Sequence, residues 1–156
     1  MAGRAVTAAL VAAIAGLSIA AAHEDEDPGA GAESTAFTGL TPILNVKSVE
    51  ASIEHYTSVL GFRKEWDWPD EDEDKSFASM LNGRARIFLA EKNQGARPVW
   101  INYYVGDVDK LHEQYLASGA EIRQEPADRP WGAREMLVAD LDGHVLRIGG
   151  PVAGDH

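Results

Sequence analysis

Between residues 37 and 46 apolar side chains fall on every second position. Leu40, Pro42, Leu44 and Val46 share one face, and this period predicts a strand. The period then changes. Val49, Ile53, Tyr56 and Leu60 recur at helical spacing behind Ser48, a residue type that caps helix N-termini, and Gly61 supplies the stop. Strands are predicted next over 62–66, 76–81 and 84–91, the last two joined by an Asn82-Gly83 hairpin signal.

The second half repeats this order. A strand over 99–105 leads into an Asp107-capped helix carrying Val108, Leu111 and Tyr115, which stops at Gly119. Strands over 121–125, 134–139 and 144–148 follow, the last after an Asp142-Gly143 turn. Val46 and Val105, Val49 and Val108, Gly61 and Gly119, and Gly83 and Gly143 are each separated by about sixty residues, the mark of an internal duplication. The predicted fold is therefore α+β, two βαβββ modules whose curved mixed sheets surround a cleft. Each module's helix covers only one face of its sheet, so the modules are expected to meet across the uncovered faces.

The N-terminus is different in kind. After Met-Ala-Gly-Arg the chain runs through Ala, Val, Leu and Ile to Ala20-Ala21-Ala22, then turns polar at His23. A basic start, an apolar stretch and small residues before the break describe a signal peptide over 1–22, and the apolar run falls short of the ~20 residues of a membrane span. Residues 23–35 hold five acidic and almost no apolar side chains and read as a flexible acidic leader. The domain is expected over 36–150, with a tail over 151–156. With no cysteine, neither a lipid anchor nor a disulfide framework is available to an exported chain. The mature protein is expected in the periplasm or outside the cell.

Formal net charge is −11 for the whole chain, and removal of 1–22 deletes only Arg4, giving −12. Such a surface repels nucleic acid and attracts small cations. From 65 to 74 seven of ten residues are acidic, with Trp66 and Trp68 among them. This stretch lacks the glycine turn and closing glutamate of an EF-hand, so it is not read as a calcium loop.

The segment from Pro42 to Phe62, PILNVKSVEASIEHYTSVLGF, and the segment from Pro130 to His144, PWGAREMLVADLDGH, resemble the opening and closing parts of the glyoxalase, bleomycin-resistance and extradiol dioxygenase superfamily, also called vicinal oxygen chelate proteins. The Pro of the first strand and the Pro-Trp-Gly are similar to those of bleomycin-resistance proteins. The resemblance covers about 37–150 and implies this fold and a homodimer. Superfamily metalloenzymes present His or Glu from the first and fourth strands of each module, and the matching positions here are Thr41, Phe88, Trp100 and Arg147. An indole, a phenyl ring and a guanidinium give a divalent ion no usable donor, so no metal or other cofactor is expected. The five histidines do not restore a site: His23 and His156 fall in the tails, His55 and His112 on helices, and His144 in a turn, where surface or half-packed roles are expected.

Alternation turns Trp100, Asn102 and Tyr104 toward the cleft, with Thr41, Ile43, Asn45, Phe88 and Arg147. Trp131 resembles an aromatic that bleomycin-binding proteins place at the ligand groove, Glu135 is a candidate partner for Arg147, and Trp66 and Trp68 offer further faces. This aromatic pocket with few polar handles suits a flat or conjugated ligand. The leading expectation is a metal-free, non-catalytic protein that sequesters an aromatic, cationic small molecule, a bleomycin-like antibiotic being the specific guess. The alternative is a metal-independent lyase or isomerase using Glu135 or Arg147. A third, a protein-interaction module, would require the cleft to be filled by its own side chains.

Overall fold

The computed structural model describes residues 39–69, 75–92 and 94–152. The expected signal peptide, the acidic leader, the acidic stretch 70–74 and the tail beyond 152 lie outside the described residues.

The repeat seen in the sequence is a repeat in space. The first half runs β1 (Ile43–Asn45), α1 (Val49–Ser58), β2 (Arg63–Pro69), β3 (Lys75–Asn82) and β4 (Ala85–Ala90). The second runs β5 (Trp100–Tyr104), α2 (Val108–Ser118), β6 (Glu121–Asp128), β7 (Ala133–Ala139) and β8 (Val145–Pro151). Each forms a four-stranded sheet, ordered β1-β4-β3-β2 and β5-β8-β7-β6. In each the outer strand pairs parallel with the last strand of its module, and the other neighbours are antiparallel. The Val46 N–H donates to Ala90 O and the Val105 N–H to Gly149 O, both at 2.9 Å, so one offset of 59 residues relates donors and acceptors alike.

The helices begin where their capping residues stand. Ser48 Oγ accepts from the Ala51 N–H at 3.2 Å, and Asp107 Oδ1 accepts from the Lys110 N–H at 2.9 Å, each satisfying a backbone donor left free by helix geometry. Gly119, at φ 79°, ends α2 in the left-handed conformation that costs a glycine little.

The two helix-covered sheet faces share one core, in which Leu44, Met80, Ile87 and Leu89 join Met136, Val138, Leu146 and Ile148 around Tyr56, Leu60, Val108 and Tyr115. Burial of each such aliphatic side chain stabilises the fold by roughly 1.5–3 kcal/mol. Polar pins cross between the modules on this side. Tyr115 Oη donates to Leu60 O at 3.1 Å, Ser118 Oγ to Val59 O at 2.7 Å and Tyr56 Oη to Asp140 Oδ2 at 2.9 Å. The rings of Phe62 and Tyr103 meet edge to face across the same junction.

Several expectations need correction. The first strand is only three residues long, and Leu40, expected on its buried face, is 88% exposed; the ladder with β4 runs over 43–45 and contact with that strand ends at Pro42 O, which accepts from the Phe88 N–H at 2.9 Å, so Leu40 lies beyond the pairing. Strand β2 extends past Trp66 through Trp68, and β6 extends past 125 through Pro126, which an edge strand tolerates because one of its two sides faces no neighbouring strand. His144 is neither on the surface nor half-packed but fully buried. Its Nδ1 accepts from the Val99 N–H at 3.2 Å and its Nε2 faces Asn45 O at 2.9 Å, an arrangement satisfied by the neutral ring protonated on Nε2. It ties β1 to the second module. His55 and His112 do lie half-buried on the helices, each with a buried Nε2 that has no partner.

Candidate functional site

The face of each sheet turned away from its helix carries the side chains predicted to hold a ligand. Strand pairing sets them in rows. On the first sheet Ile43, Phe88, Ser79 and Trp66 stand side by side. A bulge between Lys64 and Trp66 turns Glu65 to this face as well. Trp66 stacks on Phe77 at 5.8 Å between ring centroids, and Phe88 contacts both rings at 5.5 and 5.3 Å. Phe77 is 4% exposed and completes a cluster that the sequence reading missed. Beside it Glu65 accepts from Ser79 Oγ at 2.8 Å and from Arg86 Nε and Nη2 at 2.8 and 3.1 Å, with Arg63 at 3.9 Å. The Arg86 hydrogen bonds hold the Glu65 carboxyl below its ordinary range.

This first face is largely self-satisfied. Trp66 and Phe88 spend their rings on each other and on Phe77, although the buried Trp66 Nε1 has no partner. Asn45, expected to face a ligand, instead donates through Nδ2 to Gln94 O at 2.9 Å and Lys92 O at 3.4 Å, clamping the inter-module linker. Thr41 is half-buried just before β1, and Trp68 stands at the far end of β2, about half exposed.

The second face is open. Trp100 and Tyr104 on β5 are 63% and 85% exposed, and Asn102 between them is exposed too. Their neighbours Ile101 and Tyr103 pack into the core, as alternation requires. Pairing sets Asn102 beside Arg147, and Tyr104 beside Gly149 and then Glu135, so the missing side chain of Gly149 leaves a hollow between the Tyr104 and Glu135 positions. A methyl group there would come within 3.7 Å of Glu135 Cγ.

Glu135 organises this face. Arg147 Nη2 donates to its two oxygens at 2.7 and 2.9 Å, Trp131 Nε1 donates to Oε1 at 3.1 Å, and Arg129 Nε lies 3.6 Å from Oε2. Burial pushes the Glu135 carboxyl up, but the hydrogen bonds from Arg147 and Trp131 and the two positive charges outweigh it and hold the group below its usual range. The Arg147 guanidinium lies over the Trp131 ring at 5.6 Å from its centroid. The indole of Trp131, 63% exposed in the β6–β7 turn, is thereby fixed at its nitrogen and presented to solvent by its ring. Arg129 was not anticipated. Nothing local marks it, because its approach to Glu135 depends on how the turn folds back.

The structure thus joins Trp131, Glu135 and Arg147 and sets Trp100, Asn102 and Tyr104 on the same sheet face, while Ile43, Phe88 and Trp66 belong to the other. Among the described residues the modules touch on the helix side and along β1, and the rings of Trp100, Tyr104 and Trp131 on the second open face stay more than half exposed. That corrects the expectation that the two modules close over one another there.

The superfamily metal positions can be tested on donor chemistry. Phe88 and Arg147 hold the same place, two residues before Ala90 and Gly149, in β4 and β8. A phenyl ring offers no lone pair, and the Arg147 guanidinium is spent on Glu135, whose two oxygens are both taken. Among the described residues no group of three or more His, Cys, Asp or Glu side chains could hold a metal ion. The residues at these positions do not fit a divalent cation.

Comparison with known proteins agrees with the geometry. Uncharacterised proteins of Mycobacterium tuberculosis (strain H37Rv) and Mycobacterium bovis are each 35% identical over 81 residues, 49% of this chain. The chain spans about half the length of these curated relatives, 48% and 53% respectively. Among solved structures, TioX from Micromonospora sp. ML1 superposes with TM-score 0.63 at 24% identity, covering 73% of this chain and all of that one. A bleomycin-binding protein from bleomycin-producing Streptomyces verticillus, crystallised with copper(II)-bleomycin, does so with TM-score 0.59 at 23% identity, covering 76% of this chain and all of that one. At these identities the likeness speaks for the fold. The family profile described as glyoxalase/bleomycin resistance protein/dioxygenase superfamily matches residues 35–148, nearly three quarters of the sequence, and the chain belongs to that superfamily.

Proposed function

We propose that this protein is a metal-free, non-catalytic binding protein that holds a flat aromatic small molecule on the open face of its second module. The observation that carries this reading is the exposed Trp131 ring, anchored through its nitrogen on Glu135 and backed by Arg147. A fixed, solvent-facing indole beside a glycine hollow, with Tyr104 and Trp100 on the same face, is a stacking platform with little rotational freedom left to lose on binding. A bleomycin-like antibiotic is the specific ligand proposed. Support comes from the superfamily, from the bleomycin-binding protein among the structural neighbours, and from the acidic charge that draws cations toward the surface.

The same geometry weighs against proton-transfer chemistry. A general base needs a free carboxylate with a raised pKa, whereas Glu135 has both oxygens bonded and its pKa lowered. The ligand face is completed by a second copy in a homodimer, which would cover Trp100 and Tyr104. Export behind a cleaved signal peptide belongs to the same proposal and places the ligand outside the cytoplasm. Tryptophan fluorescence of the purified protein titrated with bleomycin tests the reading. Saturable quenching is expected, and its absence together with turnover of an uncharged or anionic metabolite would establish the enzyme instead.

A further inference from the structure

We propose that the chain carries a second, separate ligand site, an inter-module groove that takes a small amphipathic organic anion. The groove encloses about 970 Å3, at the upper end of the range for small-molecule sites. One wall is the C-terminal end of α1 with the β3–β4 turn, and the other is β5 with one side of α2 from Lys110 to Ser118. Asn102 and Tyr104 of the open face border it, but neither Trp131, Glu135 nor Arg147 lines it. Its accessible apolar surface comes from the half-buried Val59, Val105 and Leu111, laid over the buried Leu60, Phe62, Leu146 and Ile148.

The charged side chains around that surface, Arg84, Lys110 and Asp107, leave a net positive charge. Arg84 on the turn and Lys110 on α2 stand on opposite walls, and neither has an ion-pair partner among the described residues. Asp107 also lines the groove, but its Oδ1 accepts the Lys110 N–H as the cap of α2. Tyr103 contributes a buried hydroxyl with no hydrogen-bond partner. Burial raises its pKa, so it remains a donor.

The edge of β5 supplies the rest. The Val99 C=O and Val105 N–H turn inward to β8, so alternation turns the backbone N–H and C=O groups of Asn102 and Tyr104 outward, and both residues line the groove. The equivalent edge in the first module is covered, because the linker bridges there through Ala96 to Leu44. The second module has no described segment in that place. Two cations without an ion-pair partner among the described residues, and an unpartnered hydroxyl, beside an apolar patch are complementary to a carboxylate or sulfonate on an apolar body.

The probe for the test is 8-anilinonaphthalene-1-sulfonate, titrated into the full chain, into Arg84→Glu/Lys110→Glu, and into Trp131→Ala. Both cations are exposed, so the double variant is expected to keep its thermal midpoint, which is measured alongside. We expect one probe per chain, weakened by roughly tenfold or more in the double variant and changed by less than about twofold in Trp131→Ala. Absence of saturable binding, unchanged affinity after charge reversal, or loss of binding in Trp131→Ala would each overturn the proposal. The last outcome would assign the probe to the open face instead.

Discussion

Two arginines and an indole share the Glu135 carboxylate, and that arrangement has a pH signature. Because the folded pKa lies below the ordinary value of 4.5, the ionised form stabilises the fold above that value. This contribution is lost as pH falls through the lowered folded pKa. Glu135→Gln cannot titrate, so its thermal midpoint should fall less steeply than that of the wild type between about pH 5 and pH 3. Parallel profiles would mean that Arg147 and Trp131 do not hold the carboxylate. At neutral pH the same variant should be less stable by roughly 1–3 kcal/mol in urea unfolding, since Arg147 loses a charged partner in a half-buried place.

The linker between the modules depends on a single backbone conformation. Gly95 has φ 75°, and a methyl group there would meet Ile43 O at 2.6 Å and Asn45 N at 3.0 Å. Gly95→Ala therefore combines a left-handed strain of about 1–3 kcal/mol with displacement of the segment paired along β1. Urea unfolding should show a loss of about 2 kcal/mol or more. A change below about 0.5 kcal/mol would show that the linker is not held against the strand.

What the sequence disclosed at this scale follows from range. Ser48, Asp107 and Gly119 act on groups three or four residues away, so both helices were legible in their own residues. The extent of β1 was not, because it is decided by Phe88 and Ala90 more than forty residues on. Trp100, Asn102, Tyr104 and Arg147 were read by alternation along β5 and β8, and Trp131 by resemblance, but alternation could not show Asn45 diverted to the linker carbonyls. Nor could it show a bulge turning Glu65 onto Ser79 and Arg86. The burial of His144 was hidden for the same reason, since its partners Val99 and Asn45 are 45 and 99 residues away.

Across the whole domain the modules are joined by a shared core and a few buried polar pins, so they should unfold together. Tyr56→Phe removes the hydroxyl donor from Asp140, a 5%-exposed carboxylate that otherwise, among the described residues, accepts from the backbone of Asp142 and His144. A loss of about 1.5–3 kcal/mol is expected in a single cooperative transition. Two separable transitions would show that the modules are thermodynamically independent. Sedimentation at micromolar concentration should give a dimer, and a monomer throughout would leave the rings of β5 without the cover proposed for them.

The central claim is that an anchored indole on the second open face holds an aromatic ligand, and calorimetric titration of bleomycin into the wild type and Trp131→Ala tests it most directly. Loss of a buried indole contact of about 2 kcal/mol corresponds to roughly thirtyfold weaker binding. The account predicts saturable binding by the wild type and that loss in the variant. No saturable binding, or equal affinity in the two proteins, would contradict it.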